Sequence, residues 1–246
     1  MHRYQILIEY VGTNFVGWQI QSQGKSIQKL IQIKLSKILK EKILLIGSGR
    51  TDSGVHAIEQ SAHFECKKKI ENLDKFLKSV NHFVNSKNVS IIKIKKRNIN
   101  FHARFSAKQR IYKYVIFNRL SRPSIEKERG WHIIKELDIS LMKKGAKKLL
   151  GTKDFSTFRS SRCNAKSPIR TMKSVKISSI KGRIEIKFKS KSFLQQQVRS
   201  MVGCLKFIGE GKWNLKKFKY IIKSKTRGNC APPAPAHGLY LFKVYY

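Results

Sequence analysis

Hydrophobic residues along this chain change their spacing in a fixed succession that occurs twice, and few folds accept such a succession. Residues 4–10, YQILIEY, alternate with a period of two, which predicts a strand ending at the turn Gly12-Thr13-Asn14. Ile27, Leu30, Ile31, Leu35 and Ile38 then recur at helical spacing behind Ser26, a residue suited to cap a helix that ends near Lys40. The apolar run 43–46, and the alternation of Gln60, Ala62 and Phe64 with His63 and Glu65, predict two further strands. Leu73, Phe76, Leu77, Val80 and Val84 mark a second helix, and residues 89–94 a fourth strand. The order β-α-β-β-α-β is that of ferredoxin-like folds, an arrangement that RNA-recognition sheets also use.

The second half repeats it. Residues 111–117 read as a strand. Leu141, Ala146, Leu149 and Leu150 mark a helix opened by Asp138 and closed by Gly151. Residues 169–179 and 183–189 form a hairpin about Lys181-Gly182, followed by a helix over 193–208, a shorter one over 215–222 and a last strand over 239–246. The fold class is therefore α+β: two ferredoxin-like halves, 1–105 and 106–246, with mostly antiparallel sheets. The closely spaced aromatics of RNA-recognition modules are absent from both halves, so the sheets read as scaffold rather than as base-stacking platforms.

The repeat is broken where residues 47–57, GSGRTDSGVHA, join two strands of the first half. Glycines at 47, 49 and 54 suit positive φ and close approach of the backbone to a ligand, and Arg50 and Asp52 project from one bend. Asp52 stands out because only 14 residues are acidic against 53 basic ones. Two readings of it are open on the residues alone: a turn-stabilising aspartate, or a working carboxylate. Phosphate cradling is disfavoured, since no Gly-Lys-Ser/Thr ending and no dinucleotide fingerprint are present.

GRTDSGVHA resembles the signature of the TruA family of tRNA pseudouridine synthases. Further stretches match that family in the same order: YVGTNFVGWQIQ (10–21), FHARFSA (101–107), IYKY (111–114), SFLQQQVRSMVGCL (192–205) and PAPAHGLYL (233–241). The resemblance implies a pseudouridine synthase fold with an active-site cleft between the two halves, and an isomerase that converts uridine to pseudouridine at positions 38, 39 and 40 of the tRNA anticodon stem-loop, acting as a homodimer. It makes Asp52 the catalytic nucleophile, with Arg50 and Arg199 as catalytic partners and Tyr112 and Leu194 as substrate-binding residues. Arg50 is the candidate to fill the space of a flipped base or hold the flanking phosphate. Arg199 interrupts an apolar helix and so needs a carboxylate partner, which the resemblance identifies as Asp52. Taken alone, the Tyr112/Tyr114 pair reads as core, the His102/Arg104 pair reads equally as structural or RNA-contacting, and 10–21 reads as a turn with Trp18 packed inside. Three departures stand out: Ser53 and Ser200 occupy positions where the family usually has alanine and asparagine, and Gln195 to Gln197 stand where histidine is frequent.

Charge and cysteines bound the remaining choices. A formal charge of +39 suits a polyanionic partner, nucleic acid first, although the lysine-rich composition also reflects codon bias. Cys66, Cys163, Cys204 and Cys230 lie far apart with no C-x-x-C pair, so neither a zinc site nor a disulfide framework is expected. The amino terminus lacks a signal-peptide pattern and no apolar run reaches the roughly 18 residues of a membrane span. These features predict a cytoplasmic protein with no membrane, metal or small-molecule cofactor. A single carboxylate in a plausible site argues against two-carboxylate glycosidase chemistry and for covalent or electrostatic catalysis at the sugar or the base. The alternatives are a non-catalytic basic RNA-binding or ribosome-assembly protein, or a synthase of the same chemistry with another RNA target.

Overall fold

The computed structural model describes residues 1–246 and divides into two compact units, Met1–Lys108 with Tyr240–Tyr246, and Gln109–Leu239. The elements of the first unit follow the predicted order: β1 (His2–Tyr10), α1 (Ile27–Leu39), β2 (Ile46–Gly47), β3 (His56–Cys66), α2 (Leu73–Val84) and β4 (Val89–Arg97). β1 lies between β4 and β3, antiparallel to both. Two short partners share the other edge of β3: β2 pairs antiparallel at His63 and Ala62, and the last strand, β10 (Leu239–Tyr245), pairs parallel at His56 and Ala57. The apolar run 43–46 is thus extended strand only from Ile46.

Helix α1 forms where its spacing predicts. Ser26 Oγ accepts from Lys29 N as the cap, and Ile27, Ile31 and Leu35 are fully buried beneath it. Each such aliphatic side chain contributes about 1.5–3 kcal/mol by leaving water. Helix α2 is capped by Asn72, whose side chain accepts from Lys75 N, and packs on α1 and β4 through Phe76, Val80 and Val84. Beyond β4 the FHARFSA segment folds back over the sheet. Arg3 donates to Phe101 O and pairs with Glu65, Ala103 N donates to His63 Nδ1 (3.1 Å), and the C-terminal Tyr246 hydroxyl reaches Ser61 and Ala103 O.

The second unit contains β5 (Gln109–Asn118), β6 (Trp131–Ile133), α3 (Ile139–Lys148), β7 (Gly151–Asp154), β8 (Ile169–Ile180), β9 (Arg183–Ser190), α4 (Gln197–Gly209) and α5 (Leu215–Ser224). The strands run β5-β9-β8-β7 with antiparallel pairing, and β6 adds parallel to β5. The β8–β9 hairpin turns through Lys181 (φ 46) and Gly182 (φ 74), and two consecutive positive φ angles match the right-handed twist of the flanking strands. Asp138 caps α3 by accepting from Leu141 N. Three expectations change here. Strands β6 and β7 are too short to show a period. The closing strand groups from Tyr240 with the first unit rather than with the second half. Helix α4 begins at Gln197 and not at Phe193: Leu194–Gln197 is a turn in which Gln196 takes the left-handed conformation (φ 60), so Leu194 lies ahead of the helix.

Buried His63 carries a consequence for pH. Burial, together with nearby His102 and Arg3, lowers its pKa from 6.5 to about 4, and its Nδ1 must stay unprotonated to accept from Ala103 N. An unfolded chain binds a proton at this residue below pH 6.5 that the folded chain refuses until about pH 4. Stability from this source is therefore complete above the unfolded value and lost as the pH falls through that window. His63→Gln, which keeps an acceptor and cannot titrate, is expected to flatten the pH dependence of the unfolding free energy between these limits. An unchanged slope in urea titrations would remove His63 as its cause.

Candidate active site

Asp52 lies in the loop between β2 and β3, and that loop is tied down on both sides of the aspartate. Ser48 N donates to Ser61 O (2.7 Å), Ser48 Oγ to Gln60 Oε1 (2.7 Å), and Gln60 Nε2 to Gly49 O (2.9 Å). Thr51 Oγ1 shares a hydrogen bond with the Tyr10 hydroxyl (2.8 Å), and Thr51 O accepts from Trp18 N (3.1 Å). Val55 N donates to Asp52 O (3.2 Å), closing a tight turn with Gly54 at φ +75. The result is a half-buried Asp52 with Arg50 exposed two residues before it.

The YVGTNFVGW segment, read from sequence as a turn over a core tryptophan, is the platform on which this loop rests. Trp18 is indeed core, 2% exposed and stacked on Tyr10. The glycines around it are clearances. A β-carbon on Gly17 (φ +109) would sit 2.6 Å from Thr51 O, and one on Gly12 2.0 Å from Val55 O. Gly47 lacks the positive φ expected of it, and a β-carbon there would meet Trp18 Nε1 at 2.5 Å. Gly49 likewise keeps a negative or extended φ, so only Gly54 of the three supplies the left-handed turn. The loop is anchored further where Gly12 N donates to His56 Nδ1 (3.0 Å) and Ser53 Oγ donates to Phe15 O (3.1 Å). Ser53, one of the departures from the family pattern, thus adds a tether beside the aspartate.

The other sequence-predicted residues belong to the second unit. Tyr112, on β5, is buried among aromatic neighbours: its ring meets Phe193 edge-on at 5.1 Å, and Phe188 stands opposite it in the β5–β9 register. Phe193 precedes Leu194, which is 4% exposed and donates its N–H to Gln197 Oε1 (2.8 Å). Tyr112 and the Leu194 turn are therefore brought together through Phe193. Tyr114, on the same face of β5, is fully buried; its hydroxyl donates to Pro235 O (2.8 Å), and burial raises its pKa well above 10. It is a packing residue, as its position predicts.

Arg199, on α4, is held by the PAPAHG segment. Arg199 Nε donates to Ala234 O (2.7 Å), and Arg199 O accepts from Ala234 N (3.0 Å). Its charge acts on the Tyr114 hydroxyl and on His237, whose pKa is lowered chiefly by burial. Gly238 lies against the Tyr114 ring, where a β-carbon would come within 2.5 Å. Ser200, the second departure, is buried and accepts from Arg227 Nη1 (2.8 Å). The three glutamines do structural work: Gln195 O accepts from Ser160 N, Gln196 makes the left-handed turn and Gln197 secures Leu194. Nowhere do three or more His, Cys, Asp or Glu side chains gather as a metal site requires, and no helix is long and apolar enough to cross a membrane.

Comparison with known proteins places these features in a family context. The family model for tRNA pseudouridine synthases matches residues 6–106 and 146–246, two segments that correspond to the two repeated halves. The chain is 77% identical to tRNA pseudouridine synthase A of Pelagibacter ubique (strain HTCC1062) over the full length of both proteins. It is 39% identical to the protein of that name from Parvibaculum lavamentivorans, again over both full lengths. The corresponding protein of Maricaulis maris is 38% identical over all of this chain and 98% of its own length.

The Gly17 clearance predicts a cost that can be separated from backbone strain. Gly17→Ala meets both a positive φ and the Thr51–Asp52 backbone, whereas Gly211→Ala meets a positive φ (+73) in open space. Strain alone costs at least about 1 kcal/mol. Urea unfolding is expected to show a clearly larger loss for Gly17→Ala. Equal losses would mean that the platform does not constrain the Asp52 loop.

Proposed function

The chain belongs to the tRNA pseudouridine synthase family, and we propose that it isomerises uridine to pseudouridine at positions 38, 39 and 40 of the tRNA anticodon stem-loop with Asp52 as the essential carboxylate. The reaction breaks the N1–C1′ glycosidic bond, turns the uracil in its pocket and rejoins it through C5, with loss of the C5 proton. It needs no net redox change and no phosphate. A carboxylate fixed at one position, a pocket that retains the detached base and a group to move the C5 proton suffice.

The observation that carries this reading is the bound state of the Asp52 loop in a chain with full-length relatives of that name. A catalytic carboxylate must hold its position to a fraction of an ångström while a base is turned beside it. The hydrogen bonds at Thr51, Asp52 and Ser53, together with the clearances at Gly12 and Gly17, give the loop that rigidity. Exposed Arg50 is the residue proposed to occupy the place of the flipped base or to hold the flanking phosphate, since extrusion costs a few kcal/mol that a replacement contact offsets. Arg199 is proposed to keep the Asp52 carboxylate ionised. Tyr112 is proposed to stack on the target uracil and move a proton through its hydroxyl, with Leu194 lining the same base. The excess of basic residues supports a polyanionic substrate. Two copies of the chain are proposed to act together, one gripping the body of the tRNA while the other performs the chemistry.

Asp52→Asn and Asp52→Ala are expected to reduce pseudouridine formation to below about a tenth of wild type while tRNA affinity changes little, because binding rests on many basic contacts. Retention of turnover would remove Asp52 from the chemistry. Tyr112→Phe is expected to lower turnover more than affinity; unchanged turnover leaves the ring with stacking alone. If about six phosphates are neutralised, affinity should fall by about 10³ between roughly 50 and 200 mM salt, and a flat response in filter binding would count against a basic RNA-binding surface. Light scattering is expected to give twice the 28.5 kDa chain mass; a fully active monomer would end the two-copy reading.

A further inference from the structure

Cys204 and Cys230, 26 residues apart and separated by helix α5, are brought face to face, with their sulfur atoms 3.4 Å apart. All four cysteines are free thiols, the spacing along the chain gave no sign of this approach, and the catalytic reading leaves the pair without a role. Cys204 is fully buried on α4, while Cys230 is only partly covered. The two thiols therefore differ in the way that reversible oxidation needs: one accessible to attack a small oxidant, one sheltered and already at hydrogen-bond distance from it.

We propose that Cys204 and Cys230 form a reversible thiol–disulfide site that takes a peroxide-class oxidant, with Cys230 as the attacking thiol and Cys204 as the resolving one. The surroundings favour that division of labour. The hydrogen bond between the two thiols lowers the Cys230 pKa, with Arg227 adding to the effect, whereas the same bond and burial push Cys204 upward. Arg227 is itself held by Ser200, the residue that stands where the family usually has asparagine, so its guanidinium is fixed near Cys230.

The steps balance without a further reactant. The Cys230 thiolate attacks one oxygen of hydrogen peroxide, the O–O bond breaks, and the departing hydroxide takes up a proton as water. Cys230 is left as a sulfenic acid. Cys204 sulfur then attacks the Cys230 sulfur, the S–O bond breaks, and the hydroxide leaves with the Cys204 proton as a second water. The two thiols lose two electrons and peroxide gains them.

Closing the bond shortens the sulfur separation from 3.4 Å to about 2.05 Å. Helix α4 is packed on all sides at this level, and a β-carbon on Gly203 would lie 2.1 Å from Pro232 O. The adjustment therefore falls on the strap Cys230–Ala234, whose far end clasps Arg199.

The test is mass spectrometry of the native, full-length protein after brief exposure to hydrogen peroxide, with and without later reduction by a phosphine. The expected result is loss of two of the four thiols that maleimide labels once the treated protein is unfolded, a mass lower by two hydrogens and a peptide link joining Cys204 to Cys230, all reversed by reduction. Cys204→Ser is expected to leave a Cys230 sulfenic acid that dimedone traps, and Cys230→Ser to protect Cys204. Retention of four free thiols, a link through Cys66 or Cys163, or irreversible addition of oxygens at Cys230 in the wild-type protein would each overturn the proposal. All of these readings are independent of pseudouridine formation.

Discussion

The position of Asp52 depends on one close approach: the backbone around Gly12 and Gly17 lies against the backbone of Thr51 to Val55 with no room for a β-carbon between them. Two irregular loops would ordinarily be the most mobile parts of such a unit. Here each satisfies the other's polar groups, through Trp18 N to Thr51 O, Ser53 Oγ to Phe15 O and Gly12 N to His56 Nδ1. The buried Trp18 and Tyr10 rings fix the platform to the core, and Gly47 leaves space for the indole. The carboxylate is thereby carried on a loop anchored on both sides of Asp52, at Thr51 and at Ser53.

A comparable tether holds Arg199. Helix α4 alone would present the arginine with its long side chain free to sample rotamers, at an entropic cost whenever it is needed in one place. The hydrogen bond from Nε to Ala234 O and the return bond from Ala234 N to Arg199 O tie it to the proline-rich strap. Pro232, Pro233 and Pro235 stiffen that strap, and the Tyr114 hydroxyl secures it at Pro235. Tyr114 thus secures the strap that holds Arg199, while Tyr112, two residues away on the same face, keeps its ring among Phe188 and Phe193.

The residues that depart from the family pattern are not idle. Ser53 adds a bond from the turn of Asp52 to Phe15 O, and Ser200 holds Arg227. Gln195 to Gln197 build the turn ahead of α4 through backbone and amide contacts that a histidine would not reproduce in the same form. The charge of +39 has no such local account: many of its lysines line exposed helix faces, where they raise solubility and polyanion affinity alike.

Local signals in the sequence determined the helices and strands and where they change. Periodicity located α1 and α2, Ser26 and Asp138 marked helix starts through their own side-chain hydrogen bonds, and Lys181-Gly182 marked a hairpin. The GRTDSGVHA loop was legible because an acid among glycines breaks a regular repeat, and Asn72 and Asn214 were equally readable caps that periodicity overshadowed. Tertiary structure alone decided the rest, because each remaining feature joins residues far apart in the chain. Gly47 is a clearance for Trp18 rather than a turn former, and the last strand finds its partner at His56 and Ala57 of β3. Helix α4 starts four residues late because Gln197 turns back to Leu194, and Cys204 meets Cys230 only because the strap is drawn over α4. Period and cap chemistry act within a few residues, whereas clearance, strand partnership and thiol proximity exist only after distant segments have packed.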